Sequence, residues 1–195
     1  RQYGAVSVFD EVITGFRLAA GGAREYYHVE PDLSVYGKAL AGGFSLSAVA
    51  GRRAQFDVLR DGRTVHVGTY NGNPICLAAA SATLEVLAEP DTFRSMHAHG
   101  DALRKIILEA ASGAGVRLAT CGAGTVFTVH WGVSEPPLDY RQTLRSDMPA
   151  YTQFRMAMLD NGVYLLPDGR WYVGATHDAA AFNVAQSAIE RSFGS

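Results

Sequence analysis

Short apolar runs, each followed by polar residues or glycine, divide the first half of the chain. The run at residues 5–9 is rich in β-branched residues, and two acids, Asp10 and Glu11, follow it directly. We predict further strands at 32–37 and 46–50. Continuous apolar runs are typical of strands in a parallel sheet, which is covered on both faces. This half is therefore predicted to be an α/β fold with a mostly parallel sheet and helices.

Two helices are predicted in the middle of the chain. One begins at Pro74, a residue that suits the first helical turn, and continues through an apolar run to Leu87. The other, at about 92–111, repeats apolar residues at the spacing of an amphipathic helix. We place a domain boundary between these helices, so that the predicted domains are residues 1–91 and 92–195.

The pattern beyond Gly115 indicates a small α+β domain at the C-terminal end. Short strands alternate there with longer helical stretches and a polar loop. Strands are predicted at 116–119, 125–131, 163–165 and 171–175, and helices at 148–161 and at the end of the chain.

Composition and charge narrow the possible partners. With 195 residues, of which 48% are hydrophobic, the chain can bury a sizeable core. Its formal net charge of -2 provides no basic field for nucleic acid or an anionic membrane, and no apolar run is long enough to span a bilayer. Cys76 and Cys121 lack the spacing of a metal site or a disulfide framework. We predict no metal, a reducing cytoplasmic setting and, because the strand at 5–9 has no earlier element to pair with, a fragment of a longer protein.

Lys38 differs from an ordinary surface lysine in its surroundings. It follows the predicted strand at 32–37, lies between small residues and precedes Gly42 and Gly43, which leave room for a ligand to approach the backbone. A lysine amine can form a Schiff base with a cofactor aldehyde, and a carboxylate such as Asp10 can keep a pyridine nitrogen protonated. These are the two groups that pyridoxal phosphate (PLP) requires. The alternative interpretation is that both side chains are simply solvated.

Three ordered motifs carry a resemblance to a known family. They are residues 9–17 (FDEVITGFR), residues 37–43 (GKALAGG), which follow PDL at 31–33, and residues 68–74 (GTYNGNP). Together they resemble the class III aminotransferases, and most closely the glutamate-semialdehyde aminomutase branch. The resemblance implies the second half of a fold-type-I PLP-transferase large domain, followed by a small C-terminal domain. Where that family commonly continues the two glycines with an apolar residue and then proline, this chain has Phe44 and then Ser45.

The resemblance also implies roles for four residues. Asp10 would pair with the pyridinium nitrogen, and Lys38 would hold PLP as a Schiff base and then carry the proton of the substrate Cα. Val12 would pack against one face of the ring. Thr69 would bind the cofactor phosphate of the neighbouring subunit in a homodimer. The substrates would be small amino and keto compounds.

Several alternatives stay open in the sequence. The reaction is either transfer of an amine to a second keto substrate or an aminomutase reaction that returns the amine to the same carbon skeleton. A further alternative is a non-catalytic folded fragment or assembly partner that lacks the N-terminal half of the site. Glu11 is predicted to point to the other face of its strand and to make a structural hydrogen bond. Arg170 and His177 are open between substrate contact and a local structural role.

Overall fold

The computed structural model describes residues 2–194. Arg1 and Ser195, the outer bounds of the two predicted domains, lie outside the described residues. The chain divides into two compact units, one ending at Phe93 and the other beginning at Arg94.

The first unit contains a three-stranded sheet, two short helices, one long helix and two 3-10 turns. Its elements are β1 (Val8–Glu11), α1 (Ala23–Tyr26), β2 (Leu33–Tyr36), the turn Lys38–Ala41, β3 (Ala48–Gly51), the turn Arg53–Phe56, α2 (Asp57–Arg60) and α3 (Pro74–Leu87).

Strand pairing places the ends of β1 and β2 side by side. β1 runs parallel to β2, with Asp10 opposite Val35 and Glu11 opposite Tyr36. β3 lies on the other side of β2 and runs antiparallel to it, with Val49 opposite Val35. Because neighbouring parallel strands end at the same edge of a sheet, the residues that follow Glu11 and Tyr36 emerge at one edge, where ligands bind in open α/β sheets.

Helix α3 has the start and the end that the sequence predicts. The Asn73 side chain accepts hydrogen bonds from the N–H groups of Ile75 (3.0 Å) and Cys76 (3.2 Å) and so caps the first turn. Pro74 occupies the first helical position, where no intrahelical N–H bond is needed. The helix packs against the turn Lys38–Ala41.

The second unit contains a three-stranded antiparallel sheet with helices. The sheet has the order β4-β5-β6. Its elements are α4 (Thr92–Gly113, which begins before the boundary), β4 (Leu118–Ala123), β5 (Val126–Trp131), α5 (Tyr140–Thr143), α6 (Met148–Asp160), β6 (Arg170–Tyr172) and α7 (Ala179–Phe193).

One hydrophobic core holds the second unit together. Side chains from α4, α6, α7 and one face of the sheet contribute to it. Phe127 stacks on Trp171 across β5 and β6, with ring centroids 5.5 Å apart. Trp131 contacts Phe154 and Phe193, with centroids 4.6 and 5.6 Å away. Such aromatic contacts add to the free energy gained from burying the rings themselves.

The prediction of a strand at residues 163–165 is wrong. This segment leaves α6 through Gly162, whose φ is 85°, and the N–H of Val163 donates to the carbonyl of Met158 (2.9 Å). The side chain of Leu165 is buried in the core. The apolar pattern here therefore reflects burial of side chains and not pairing with another strand. Among residues 2–194, no helix is both long enough and apolar enough to cross a bilayer.

Candidate active site

Lys38 is the first residue of the turn that follows β2. Its φ of 41° lies in the left-handed region, a conformation that costs a non-glycine residue about 1–2 kcal/mol. Burial of Leu40 and Ala41 offsets this cost, and Gly42 closes the turn with a φ of 56°. The lysine side chain itself stays exposed. The turn is thus anchored by its apolar residues and presents the amine to solvent.

Asp10 lies at the end of the neighbouring strand. Its side chain is exposed, and its Oδ1 accepts a hydrogen bond from the N–H of Val12 (3.1 Å). Asp10 is opposite Val35, three residues before Lys38. The carboxylate and the amine that the sequence indicated therefore belong to the ends of two adjacent parallel strands.

Val12 lies against the backbone that leads into the lysine turn. A Cβ built on Gly37 would lie 3.7 Å from Val12 Cγ1, an ordinary van der Waals distance. The half-buried Val12 side chain therefore lies over Gly37, directly before Lys38. The structure brings Asp10, Val12 and Lys38 to one edge of the sheet.

Glu11 is fully buried, and its partners belong to the loop that follows β1. Its Oε2 accepts from the Thr14 hydroxyl (2.5 Å) and the Ala23 N–H (2.8 Å), and its Oε1 accepts from the Arg24 N–H (2.9 Å). The predicted structural hydrogen bond is confirmed. The sequence did not reveal these partners. The pair Gly21-Gly22 is the sequence feature that indicates a close approach of the backbone here, because a Cβ on Gly22 would lie 2.4 Å from Glu11 Oε2.

Thr69 lies on a different, exposed loop. Every residue from 61 to 72 is exposed. The N–H of Asn71 donates to the carbonyl of Gly68 (3.0 Å), so Thr69 and Tyr70 form the corner of a turn just before α3. The contribution of Thr69 to a neighbouring subunit stays a prediction.

Arg170 and His177 belong to the second unit, and both have local partners. The Arg170 Nε–H donates to Asp168 Oδ2 (2.7 Å), and this hydrogen bond raises the pKa of Arg170 and lowers that of Asp168. His177 Nδ1 accepts from the N–H of Gly174 (3.1 Å). β6 ends at Tyr172, three residues short of the predicted end, and the N–H of Gly174 beyond it donates to the His177 ring.

Comparison with known proteins identifies the family. A family model described as aminotransferase class-III matches residues 1–177. The chain belongs to this family. Its class-III membership confirms the resemblance that the three sequence motifs carry.

Relatives and solved structures agree with the class-III assignment. The glutamate-1-semialdehyde 2,1-aminomutase of Herminiimonas arsenicoxydans is 35% identical over 195 residues, which cover 98% of this chain and 45% of that protein. An omega-transaminase from Sphaerobacter thermophilus superposes with a TM-score of 0.89 at 28% identity, over 100% of this chain and 45% of that one. The PLP internal aldimine form of the Sphingopyxis sp. MTA144 FumI protein gives a TM-score of 0.85 at 26% identity, over 99% of this chain and 44% of that one. The predicted α/β fold class is confirmed, and the chain spans less than half the length of these relatives.

Proposed function

We propose that this chain carries the lysine half of the active site of a PLP-dependent enzyme that transfers amino groups. The observation that supports the proposal most directly is the position of Lys38 and Asp10 at the ends of two adjacent parallel strands. Membership of the class-III family supports it further. Since the chain spans less than half the length of its relatives, the activity is assigned to the complete protein and not to residues 1–195 alone.

The side chains at this edge of the sheet fit PLP. An exposed lysine amine can attach the cofactor aldehyde as a Schiff base, and an exposed carboxylate can accept a hydrogen bond from a protonated ring nitrogen. Val12 supplies apolar surface for the ring. When bound, PLP withdraws electrons from the Cα of an amino substrate and makes its proton acidic.

Each of these residues has a separate task in the proposed reaction. Lys38 Nζ would hold the cofactor aldehyde and, when free, would move a proton to and from the substrate Cα as a general base and acid. Asp10 would hold the ring nitrogen protonated by accepting a charge-assisted hydrogen bond from it. Val12 would exclude water from one face of the ring. The anchored turn Lys38–Ala41 keeps Nζ at the strand end throughout.

A homodimer is proposed to complete the site, with Thr69 binding the phosphate of the cofactor in the neighbouring subunit. In the loop that carries Thr69, the apolar side chains are largely exposed: Val65 is 74%, Val67 82% and Tyr70 81% exposed. Exposed apolar side chains grouped in this way favour burial against another chain. Sedimentation of the complete protein tests this proposal, because a monomer that retains PLP would contradict it.

Two reactions are compatible with this site. The similarity to a glutamate-1-semialdehyde aminomutase at 35% identity favours an aminomutase, whereas the transaminase structure at 28% identity favours transfer to a second substrate. An aminomutase converts a single substrate to its isomer, while a transaminase consumes a keto acid. Product analysis with glutamate 1-semialdehyde, with and without an added keto acid, distinguishes the two reactions.

The second candidate function is a folded segment without catalysis of its own, which assembles with another polypeptide. The exposed apolar side chains at β1, a strand at the edge of the sheet, favour this candidate. Val8, in the strand, is 54% exposed, and Val6, just before it, is 52% exposed. An edge strand with apolar side chains can pair with a strand from another chain. The mass of the natural polypeptide separates this candidate from a single-chain enzyme.

Borohydride trapping tests the proposed role of Lys38. The chain contains two lysines, Lys38 and Lys105, so each serves as the control for the other. Lys105 is exposed and pairs with Glu109, at 3.7 Å. Reduction of the complete protein with PLP and peptide mapping should find the adduct on Lys38. Lys38→Ala should abolish both adduct and turnover, whereas Lys105→Ala should preserve both. An adduct on any other lysine in place of Lys38 would contradict the assignment.

A further inference from the structure

Glu11 is a buried carboxylate for which the proposed chemistry has no use. It is adjacent to Asp10 in β1, yet it is 0% exposed, whereas Asp10 is open to solvent. Burying a carboxylate is costly unless protein donors replace its water. Its position directly beside a proposed site residue therefore requires a physical explanation.

Three neutral donors take the place of water around Glu11. The Thr14 hydroxyl and the Ala23 N–H donate to Oε2, and the Arg24 N–H donates to Oε1. Thr14 lies at the start of the loop after β1, while Ala23 and Arg24 lie at its end, in the first turn of α1. The carboxylate therefore ties the end of β1 to both ends of this loop.

The loop is shaped closely around this carboxylate. Gly22 has a φ of 76°, and a Cβ on it would come within 2.4 Å of Glu11 Oε2. The N–H of Gly15 donates to the Glu11 carbonyl (2.8 Å), and a Cβ on Gly15 would lie 2.5 Å from the Tyr36 ring. The same loop thus packs on Glu11 and on Tyr36, the last residue of β2, two residues before Lys38.

These contacts determine the direction of Asp10. Successive side chains of a strand point to opposite faces, so holding Glu11 in the interior turns Asp10 toward the other face. The N–H of Val12, in the segment that Glu11 anchors, also donates to Asp10 Oδ1. We propose that Glu11 is a positioning residue that orients Asp10 without touching the cofactor. This inference rests on the PLP site proposed above.

A double-mutant cycle in the complete protein, loaded with PLP, tests this role. Glu11→Gln keeps the shape of the side chain but replaces one acceptor oxygen with an NH₂ group. Because NH₂ is a donor, it cannot accept a hydrogen bond from the Thr14 hydroxyl or from the N–H groups of Ala23 and Arg24, so at least one of these donors loses its partner. We expect kcat to fall at least about tenfold while KM for the amino substrate stays within about twofold. The pH dependence of the cofactor absorbance should shift in the same direction as in Asp10→Asn.

The double variant separates a role of Glu11 that acts through Asp10 from an effect of Glu11 that is independent of Asp10. If Glu11 acts through Asp10, then Asp10→Asn and the combined variant have the same kcat, because the interaction is already lost in the single variant. Losses that multiply in the double variant, or a wild-type kcat in Glu11→Gln, would overturn the inference. If Asp10→Asn alone leaves kcat and absorbance unchanged, the proposed site is wrong as well, so the two failures are distinguishable.

Glu25 provides a matched control in the same loop. Its Oε2 accepts from the Gly21 N–H (2.6 Å), but its side chain is exposed, whereas that of Glu11 is fully buried. Glu25→Gln should leave kcat and absorbance unchanged. If Glu11→Gln does not fold, Thr14→Val removes a single donor from the same carboxylate and should produce a smaller shift of the same sign. A folded Thr14→Val protein with the wild-type absorbance titration would count against the inference.

Discussion

His130 shows how one buried side chain links a strand to a distant loop. Its Nε2 lies 2.9 Å from Thr128 Oγ1, and its Nδ1 lies 3.0 Å from Ser146 Oγ. The Thr128 hydroxyl donates to the Cys121 carbonyl (3.2 Å), so its oxygen accepts the proton of Nε2 and Nδ1 is left to accept from Ser146. Burial lowers the pKa of His130. The neutral ring is therefore the form that the folded chain favours.

We expect acidification to remove part of the stability that neutral His130 provides. Because its pKa is lower in the folded than in the unfolded chain, this contribution is complete above the unfolded value of about 6.5 and is lost as the pH falls through that value toward the folded pKa. Urea unfolding between pH 7 and pH 5 should show the wild type losing more stability than His130→Asn. His66→Asn, at an exposed position, should behave like the wild type. Equal losses in the wild type and His130→Asn would contradict the prediction.

Among the elements of the first unit, the lysine turn depends on helix α3. Gly42 ends the turn in the left-handed region, and a Cβ on it would lie 2.9 Å from Thr83 Oγ1 of α3. That hydroxyl donates to the Ala79 carbonyl (2.8 Å), which holds it in place. Gly42 therefore satisfies two conditions at once, a left-handed backbone and the close approach of a helix.

Gly42→Ala should destabilise the turn that carries Lys38. The left-handed backbone alone should cost about 1–2 kcal/mol of unfolding free energy, and displacement of the turn from α3 should weaken PLP binding in the complete protein. Urea unfolding and equilibrium dialysis measure the two effects. Gly113→Ala, in open space at the end of α4, is the control and should be neutral or slightly stabilising. Equal stability of the two variants would refute this role for Gly42.

At the scale of the whole molecule, the three-stranded sheet of the first unit has β1 and β3 as its outer strands, and within residues 2–194 no further strand pairs with either. All four residues of β3 are exposed. Apolar edge strands are sites where other strands pair. The relatives contain more than twice the length of this chain, which is enough for further strands.

Residues 1–195 alone are therefore expected to bind PLP weakly, to self-associate and to show no transamination. Absorbance of the bound cofactor, size-exclusion chromatography and an amino-transfer assay measure these three properties. Adding the segment that relatives carry outside the matched region, in the same chain or as a second polypeptide, should restore a dimer and the absorbance. A monomeric chain that transaminates by itself would show that the added segment is dispensable.

The sequence by itself determined the features that depend on near neighbours in the chain. Helix α3 begins and ends where predicted, because Asn73, Pro74 and the apolar run act within one or two helical turns. The end of β1 at two acids and the opposite directions of Asp10 and Glu11 follow from strand alternation. The three motifs at residues 9–17, 37–43 and 68–74 were together sufficient to indicate the family.

The tertiary structure alone decided which distant residues meet. Pairing of β1 with β2 brought Asp10 to the edge that carries Lys38, and the loop after β1 supplied Ala23 and Arg24 to Glu11, twelve and thirteen residues away. The segment 163–165 has a strand-like pattern, but in the described part of the chain no strand pairs with it. Hydrogen-bond partners and burial depend on contacts between residues far apart in sequence, and local composition does not encode them.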